Sequence, residues 1–273
     1  MIAIGAERHP IGVFDSGIGG LSVLRALHAA LPCEDFAYFA DQAHAPYGEQ
    51  ADAYVLERSL AVAHALVQEH AVKALVVACN TATAAAIATL RATYPALPIV
   101  GIEPALKPSA ALTRTGHVGV LATRSTLQSR RFKALRASLE PNVQFHCAVG
   151  EGLVEAIEHA ATLGDPNAPE LIALCDHSTL AIGPFGSKIG QMDVLVLGCT
   201  HYPFAWGHWQ RCVGSEVALM EPGAAVARRT AELLAQQGLL NDGSRPVRTD
   251  YMSSSEPSAL KAVAERWLAS LMP

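Results

Sequence analysis

The sequence predicts an α/β protein of two pseudo-symmetric lobes. Each is a mostly parallel sheet flanked by helices, with the active site in the cleft between them. Three observations carry this reading. Leu75-Val76-Val77 and Leu195-Val196-Leu197 are continuous aliphatic runs bounded by small polar residues, the pattern of strands covered on both faces. Strand and helix patterns alternate along the chain, as they do where helices cover a parallel sheet. The pattern then begins again: Val118-Gly119-Val120-Leu121-Ala122-Thr123 matches Ile11-Gly12-Val13-Phe14-Asp15-Ser16 in residue class.

In chain order, Ile11–Phe14 reads as a strand, broken by Asp15-Ser16-Gly17-Ile18-Gly19-Gly20 before a helix from about Leu21. A second strand, Phe36–Phe39, runs into Ala40-Asp41 and a turn at Ala45-Pro46-Tyr47-Gly48-Glu49. Helical spacing of apolar residues places a helix over about 51–69. The first cysteine strand follows, then an Ala-rich helix over about 82–93 and a short strand at 98–101. Asp15 lies 64 residues before Cys79, and Ala122 lies 77 before Cys199, so the repeat carries an insertion in its second copy. Gly and Pro place that insertion at 164–190, and the segment from about Pro222 reads as mostly helical. The expected lobes are 1–105 with 218–273, and 106–217.

With 273 residues, 51% of them apolar, the chain has material for two cores, and wholesale disorder is excluded. Its net charge of −5 and lack of a dense Lys/Arg run argue against a nucleic-acid surface. No apolar stretch reaches membrane-spanning length, and Met1–Arg8 lacks the basic start and apolar segment of a secretory signal. The six cysteines include no C-x-x-C pair, and a reduced, cytoplasmic protein is expected.

Cys79 and Cys199 each follow a buried-type strand, where open α/β sheets hold ligands. A single cysteine there reads as a small core hydrophobe. Two in matching places suggest thiols that meet across a cleft, and a helix start just after the sulfur favours the thiolate. Asp15–Gly20 is not G-x-G-x-x-G; it reads either as amides that receive a small carboxylate, with Asp15 taking an ammonium, or as a helix cap. Zinc at Cys79, Cys199, His201 and Asp15 or Asp41 lacks the paired ligand spacing of structural sites. A nucleophilic cysteine with His201 as base would use only one of the two thiols. Lys73, Lys107, Lys133 and Lys188 do not stand where a Schiff base would be expected.

Taken together, Asp15-Ser16-Gly17-Ile18-Gly19-Gly20-Leu21, Tyr38-Phe39-Ala40-Asp41, Pro46-Tyr47-Gly48, Ala78-Cys79-Asn80-Thr81-Ala82 and Leu197-Gly198-Cys199-Thr200-His201-Tyr202-Pro203 resemble the glutamate racemase family. The resemblance runs from Ile11 to the segment ending at Arg229. It implies a racemase that needs no cofactor and supplies D-glutamate for peptidoglycan, with glutamate as its small-molecule partner and room for a homodimer. By position, Cys79 and Cys199 match the catalytic thiols, with Asp15 and His201 beside them. Ser16, Pro46, Tyr47, Gly48, Asn80, Thr81, Thr126 and Thr200 join Asp15 and His201 as substrate-binding candidates. Asp41 matches an acidic partner of the site. Glu158 matches another, with Glu155 close enough to compete. Ser125, Glu221-Pro222-Gly223 and the long 164–190 segment depart from the family pattern.

Two-base proton transfer follows from that resemblance: one thiolate removes the Cα proton while the opposite thiol delivers another, and hydroxyl and N–H donors hold the α-carboxylate. An amino-acid receptor of two lobes gives the cysteines no role. An aspartate racemase or a related decarboxylase on the same scaffold is the nearer rival, and a decarboxylase needs only one proton-delivering Cys.

Overall fold

A strand as apolar as Ile11-Gly12-Val13-Phe14 needs cover on both faces, and Ile11–Asp15 (β1) has it: all five residues are buried. The computed structural model describes residues 6–244 and 246–269. Residues 1–5, part of the N-terminal reading above, and 270–273, part of the expected helical C-terminus, lie outside them. Contacts divide the chain into two units, Met1–Ile102 with Gly223–Pro273, and Glu103–Pro222.

The first unit continues through α1 (Leu21–Ala30), β2 (Phe36–Ala40), α2 (Asp52–Glu69), β3 (Ala74–Val77), α3 (Asn80–Thr93) and β4 (Ile99–Gly101). The second holds α4 (Leu106–Leu112), β5 (His117–Ala122), α5 (Arg124–Gln128), α6 (Arg130–Leu139), β6 (Gln144–Val149), α7 (Leu153–Leu163), α8 (Pro169–Ile182), β7 (Val194–Gly198), α9 (Trp206–Val213) and β8 (Ala218–Met220). The chain then returns to the first unit as α10 (Gly223–Gln236), β9 (Thr249–Ser253) and α11 (Pro257–Ala269).

Both sheets are parallel, ordered β4-β3-β1-β2-β9 and β6-β5-β7-β8. The run β2-β1-β3-β4 therefore repeats as β6-β5-β7-β8, with each cysteine just beyond the strand beside the leading one. β8 pairs with β7, which carries residues 218–222 into the second unit rather than the first.

Three elements depart from the sequence reading. β6 and β9 are edge strands with half-exposed residues, so neither shows a continuous apolar run. The 164–190 segment is not simply loop, because α8 fills most of it, starting with Pro169 in its first turn. Positive-φ glycines 183, 186 and 190 then carry the chain back toward β7. The returning C-terminal segment is pinned by buried acids: Glu34 Oε1 accepts the Asn241 amide at 2.9 Å and Asp35 Oδ1 accepts that of Arg248 at 2.8 Å. Glu34 also pairs with the buried Lys73 ammonium. Among the described residues no helix is long and apolar enough to cross a membrane.

Candidate active site

In the first unit, helix α3 begins at once after Cys79, two residues earlier than its sequence suggests. Cys79 is its N-cap, and the Ala82 amide points at Sγ from 3.5 Å. The positive end of the helix thus faces the sulfur and favours negative charge there. Ser16 Oγ lies 3.9 Å from the same sulfur, within reach of a weak S–H donation. Cys79 is 6% exposed.

Asp15 ends β1 fully buried, and its Oδ2 accepts the Gly20 amide at 2.7 Å. The N-cap of α1 is Gly20 itself, with no side-chain cap bond, so this contact ties the turn to β1 and is not the helix cap weighed for it. The contact also requires glycine at position 20, where a Cβ would stand 2.7 Å from Asp15 Cβ and 2.8 Å from the Tyr38 hydroxyl. Asn80 and Thr81 open α3 and are buried. Both amide atoms of Asn80 are out of water and hydrogen-bond to nothing among the described residues. A buried amide left in this state is one a ligand would satisfy.

Pro46, Tyr47 and Gly48 form a short turn after β2, with a cis bond at Ala45–Pro46. Tyr47 is buried in the same apolar cluster as Phe14, Val55 and Cys79. Its hydroxyl donates to Asp41 Oδ2 at 2.5 Å. Arg58, from α2, grips the same carboxylate through Nε at 3.0 Å and Nη2 at 2.9 Å. Burial disfavours the Asp41 charge, but hydrogen bonds from Arg58, Tyr47 and Ser254 outweigh it and hold the carboxyl below its usual range. Burial, then Asp41, push the Tyr47 phenol well up, so it stays a donor.

In the second unit, Cys199 is 7% exposed and Sγ lies 3.7 Å from His201 Nδ1. The far ring nitrogen, Nε2, is 2.8 Å from Glu158 Oε1 on α7. Burial opposes protonation of His201, yet its hydrogen bonds to Cys199 and Glu158 win and raise its pKa well above the ordinary value. An imidazolium between a sulfur and a carboxylate can hand a proton either way. Glu155 is exposed, so the contact to His201 falls to Glu158. Thr200 is buried beside Cys199, and Thr126 is buried in the first turn of α5, where Thr123 Oγ1 donates to its hydroxyl at 2.9 Å. The Thr126 proton is left to donate elsewhere.

Two neighbours of these half-sites were given no role by the sequence. Arg58 stands three and four residues from the buried Val55 and Val62 of α2, so its inward edge was readable from helical spacing, but its partner was not. Tyr202, next to His201, is wholly buried with a hydroxyl that hydrogen-bonds to nothing among the described residues.

A family model described as Asp/Glu/hydantoin racemase matches residues 11–230. The chain belongs to this family. The glutamate racemase of Ectopseudomonas mendocina is 48% identical over 255 residues, 93% of this chain and 92% of that protein. Among solved structures, Escherichia coli glutamate racemase in complex with L-glutamate and the activator UDP-MurNAc-Ala aligns with a TM-score of 0.81 at 32% identity, covering 95% of each chain. The Francisella tularensis enzyme in complex with D-glutamate aligns with a TM-score of 0.79 at 27% identity, covering 96% of this chain and 94% of that one. Membership makes the chain an amino-acid racemase, an isomerase.

Proposed function

We propose that the chain interconverts L- and D-glutamate without a cofactor, with Cys79 and Cys199 as the two proton-transfer groups. The observation that carries this reading is the repeated construction of the thiols: each is nearly buried just beyond the strand beside its sheet's leading strand, with a polar group set against the sulfur. For Cys79 that group is the start of α3, and for Cys199 it is His201. One thiolate takes the Cα proton as the other thiol protonates the opposite face, so the centre inverts and the two sulfurs exchange states. Charge that builds on the α-carboxylate is met by Ser16, Asn80, Thr81 and Thr200 as donors. The relatives that hold L- and D-glutamate support glutamate as substrate. The product would feed peptidoglycan synthesis in the cytoplasm.

Purified protein incubated with L-glutamate in D2O, with chiral analysis of the product, tests this. D-Glutamate should appear carrying deuterium at Cα, after exhaustive chelation and carbonyl trapping alike. Cys79→Ala and Cys199→Ala should each lower turnover by about 10²–10⁴-fold. Near-normal turnover by either variant overturns the two-thiol assignment. Equal efficiency on L-aspartate would move the chain to the aspartate branch.

A further inference from the structure

We infer that Arg58 is a positioning residue for the substrate-binding turn at Pro46–Gly48, fixing Tyr47 and the wall beside Cys79 through the Asp41 carboxylate. The inference rests on the glutamate reading for its kinetic arm only.

Asp41 has no exposed surface, and its two oxygens accept from Arg58 Nε, Arg58 Nη2 and the Tyr47 hydroxyl. A carboxylate so committed has little capacity left for proton transfer to a thiol. Its work is mechanical: a side-on guanidinium fork fixes its plane, and the plane aims the acceptor for Tyr47. Arg58 is rooted in α2, with its side chain 24% exposed. It ties the turn to a rigid helix. The same loop is fastened elsewhere too: His44 Nδ1 lies 2.5 Å from the Tyr54 hydroxyl of α2, the Ala43 amide donates to Ser254 Oγ at 3.1 Å, and Ser253 Oγ donates to Gln42 Oε1 at 3.0 Å. Of these only Ser254, which also hydrogen-bonds Asp41, bears on the carboxylate, and it comes from the segment after β9 and not from α2. The route from α2 to the phenol is Arg58–Asp41–Tyr47, and the phenol packs in the cluster that holds Cys79.

Without Arg58, a buried carboxylate loses its counter-charge and takes up a proton nearer neutrality. The groups that face it are Arg58, Tyr47 and the Ser254 hydroxyl, with Tyr54 beside Arg58 and Cys79 beyond Tyr47. Once protonated, Asp41 is a poorer acceptor for the phenol and the turn loosens. The thiols themselves keep their neighbours.

The experiment compares Arg58→Met, Arg58→Lys, Tyr47→Phe and the Arg58→Met/Tyr47→Phe pair in the full chain. Expected is a KM for glutamate raised at least about ten-fold with kcat within about three-fold, the pattern of lost uniform binding, since the turn holds substrate while the thiols keep their neighbours. The rise in Arg58→Met should grow as pH falls from 8 to 6, Arg58→Lys should lie between it and wild type, and the double variant should be no worse than the worse single. Alkylation of Cys79 by iodoacetamide, followed by mass spectrometry, should be about ten-fold faster in Arg58→Met as the wall loosens. An unchanged KM and an unchanged alkylation rate, with only the melting temperature lowered, would make Arg58 merely structural and overturn the inference. If Arg58→Met does not fold, Arg58→Lys decides by the same readouts. A wild-type protein inert toward glutamate would sink the functional reading, while the alkylation series would still judge Arg58.

Discussion

Glu158 Oε1 sits 2.8 Å from His201 Nε2, on the opposite side of the ring from the Cys199 sulfur. The carboxylate therefore joins the Cys199 hydrogen bond in holding the ring protonated against its burial. Glu158→Gln keeps the shape and removes the charge, so kcat should fall by about 10²-fold. Solvent deuterium should enter the two enantiomers unequally, because only the Cys199 side is impaired. The sign of the stability effect follows from the raised His201 pKa. The contribution of the pair is complete below the unfolded value near 6.5 and disappears as pH rises through the folded value. Urea titrations should show the gap between wild type and variant widest at about pH 5–6 and narrowing in alkali. A gap that widens with pH contradicts the ion pair.

Asp41 gives the opposite sign. Its folded pKa is depressed, so its contribution is present above the unfolded value near 3.9 and is lost as pH falls through the folded one. Asp41→Asn strands the Arg58 guanidinium, which is partly exposed, and should cost about 2 kcal/mol at pH 7. Denaturation midpoints at pH 7 and at about pH 2.5 check it: the difference between the two proteins should shrink at the acid end. A constant difference would show that the charge is irrelevant.

Asn80 predicts a trade between stability and binding. Its side-chain amide is buried and hydrogen-bonds to nothing among the described residues, so Asn80→Ala should leave the free protein as stable as wild type or more so. The same change should raise the KM for glutamate at least about ten-fold, the loss expected when a polar contact to substrate disappears. Calorimetric binding of glutamate alongside chemical denaturation would separate the two effects. A destabilised variant with normal binding would count against the ligand role.

Gly150 and Tyr202 predict a rescue. A Cβ at 150 would stand 2.3 Å from the Tyr202 hydroxyl and 2.7 Å from Leu153 Cδ1. Gly150→Ala should cost about 1–3 kcal/mol. Tyr202→Phe should cost nothing, because the buried hydroxyl it removes has no hydrogen bond among the described residues. In the Tyr202→Phe background the Gly150→Ala cost should fall, leaving Leu153 Cδ1 and the ring Cζ, 2.9 Å from the new Cβ, as the remainder of the clash. Strict additivity of the two changes would show that the oxygen is not the obstacle.

The strands next to the thiols were legible because both faces of β3 and β7 are covered, which forces an unbroken aliphatic run. The same physics hid β6 and β9. At a sheet edge Gln144, His146, Thr249 and Asp250 cost little, and the pattern blurs. Helix α8 was masked by the Pro and Gly at its ends, which punctuate a helix as readily as a loop. Of the candidate site, Cys79 and Cys199 stand out by their placement after aliphatic runs. The roles of Asp41 and Glu158 rest on resemblance alone, because what defines them is a partner far along the chain: Arg58 for one, His201 for the other. No local pattern contains such a pairing.

The return of the chain to its first sheet has a consequence for synthesis. Strand β2 ends at Ala40, and the neighbour that covers its outer edge, β9, ends at Ser253. Between them the ribosome must complete the whole of the second unit. At about 5–20 residues per second, that interval is roughly 10–40 s. Throughout it the Phe36-Ala37-Tyr38-Phe39-Ala40 edge is an open template for pairing with other nascent chains. The second unit, by contrast, is contiguous and can close as soon as β8 emerges. The lobe that begins first is thus finished last, and its unpaired edge is where a translational pause or a missing chaperone would be felt.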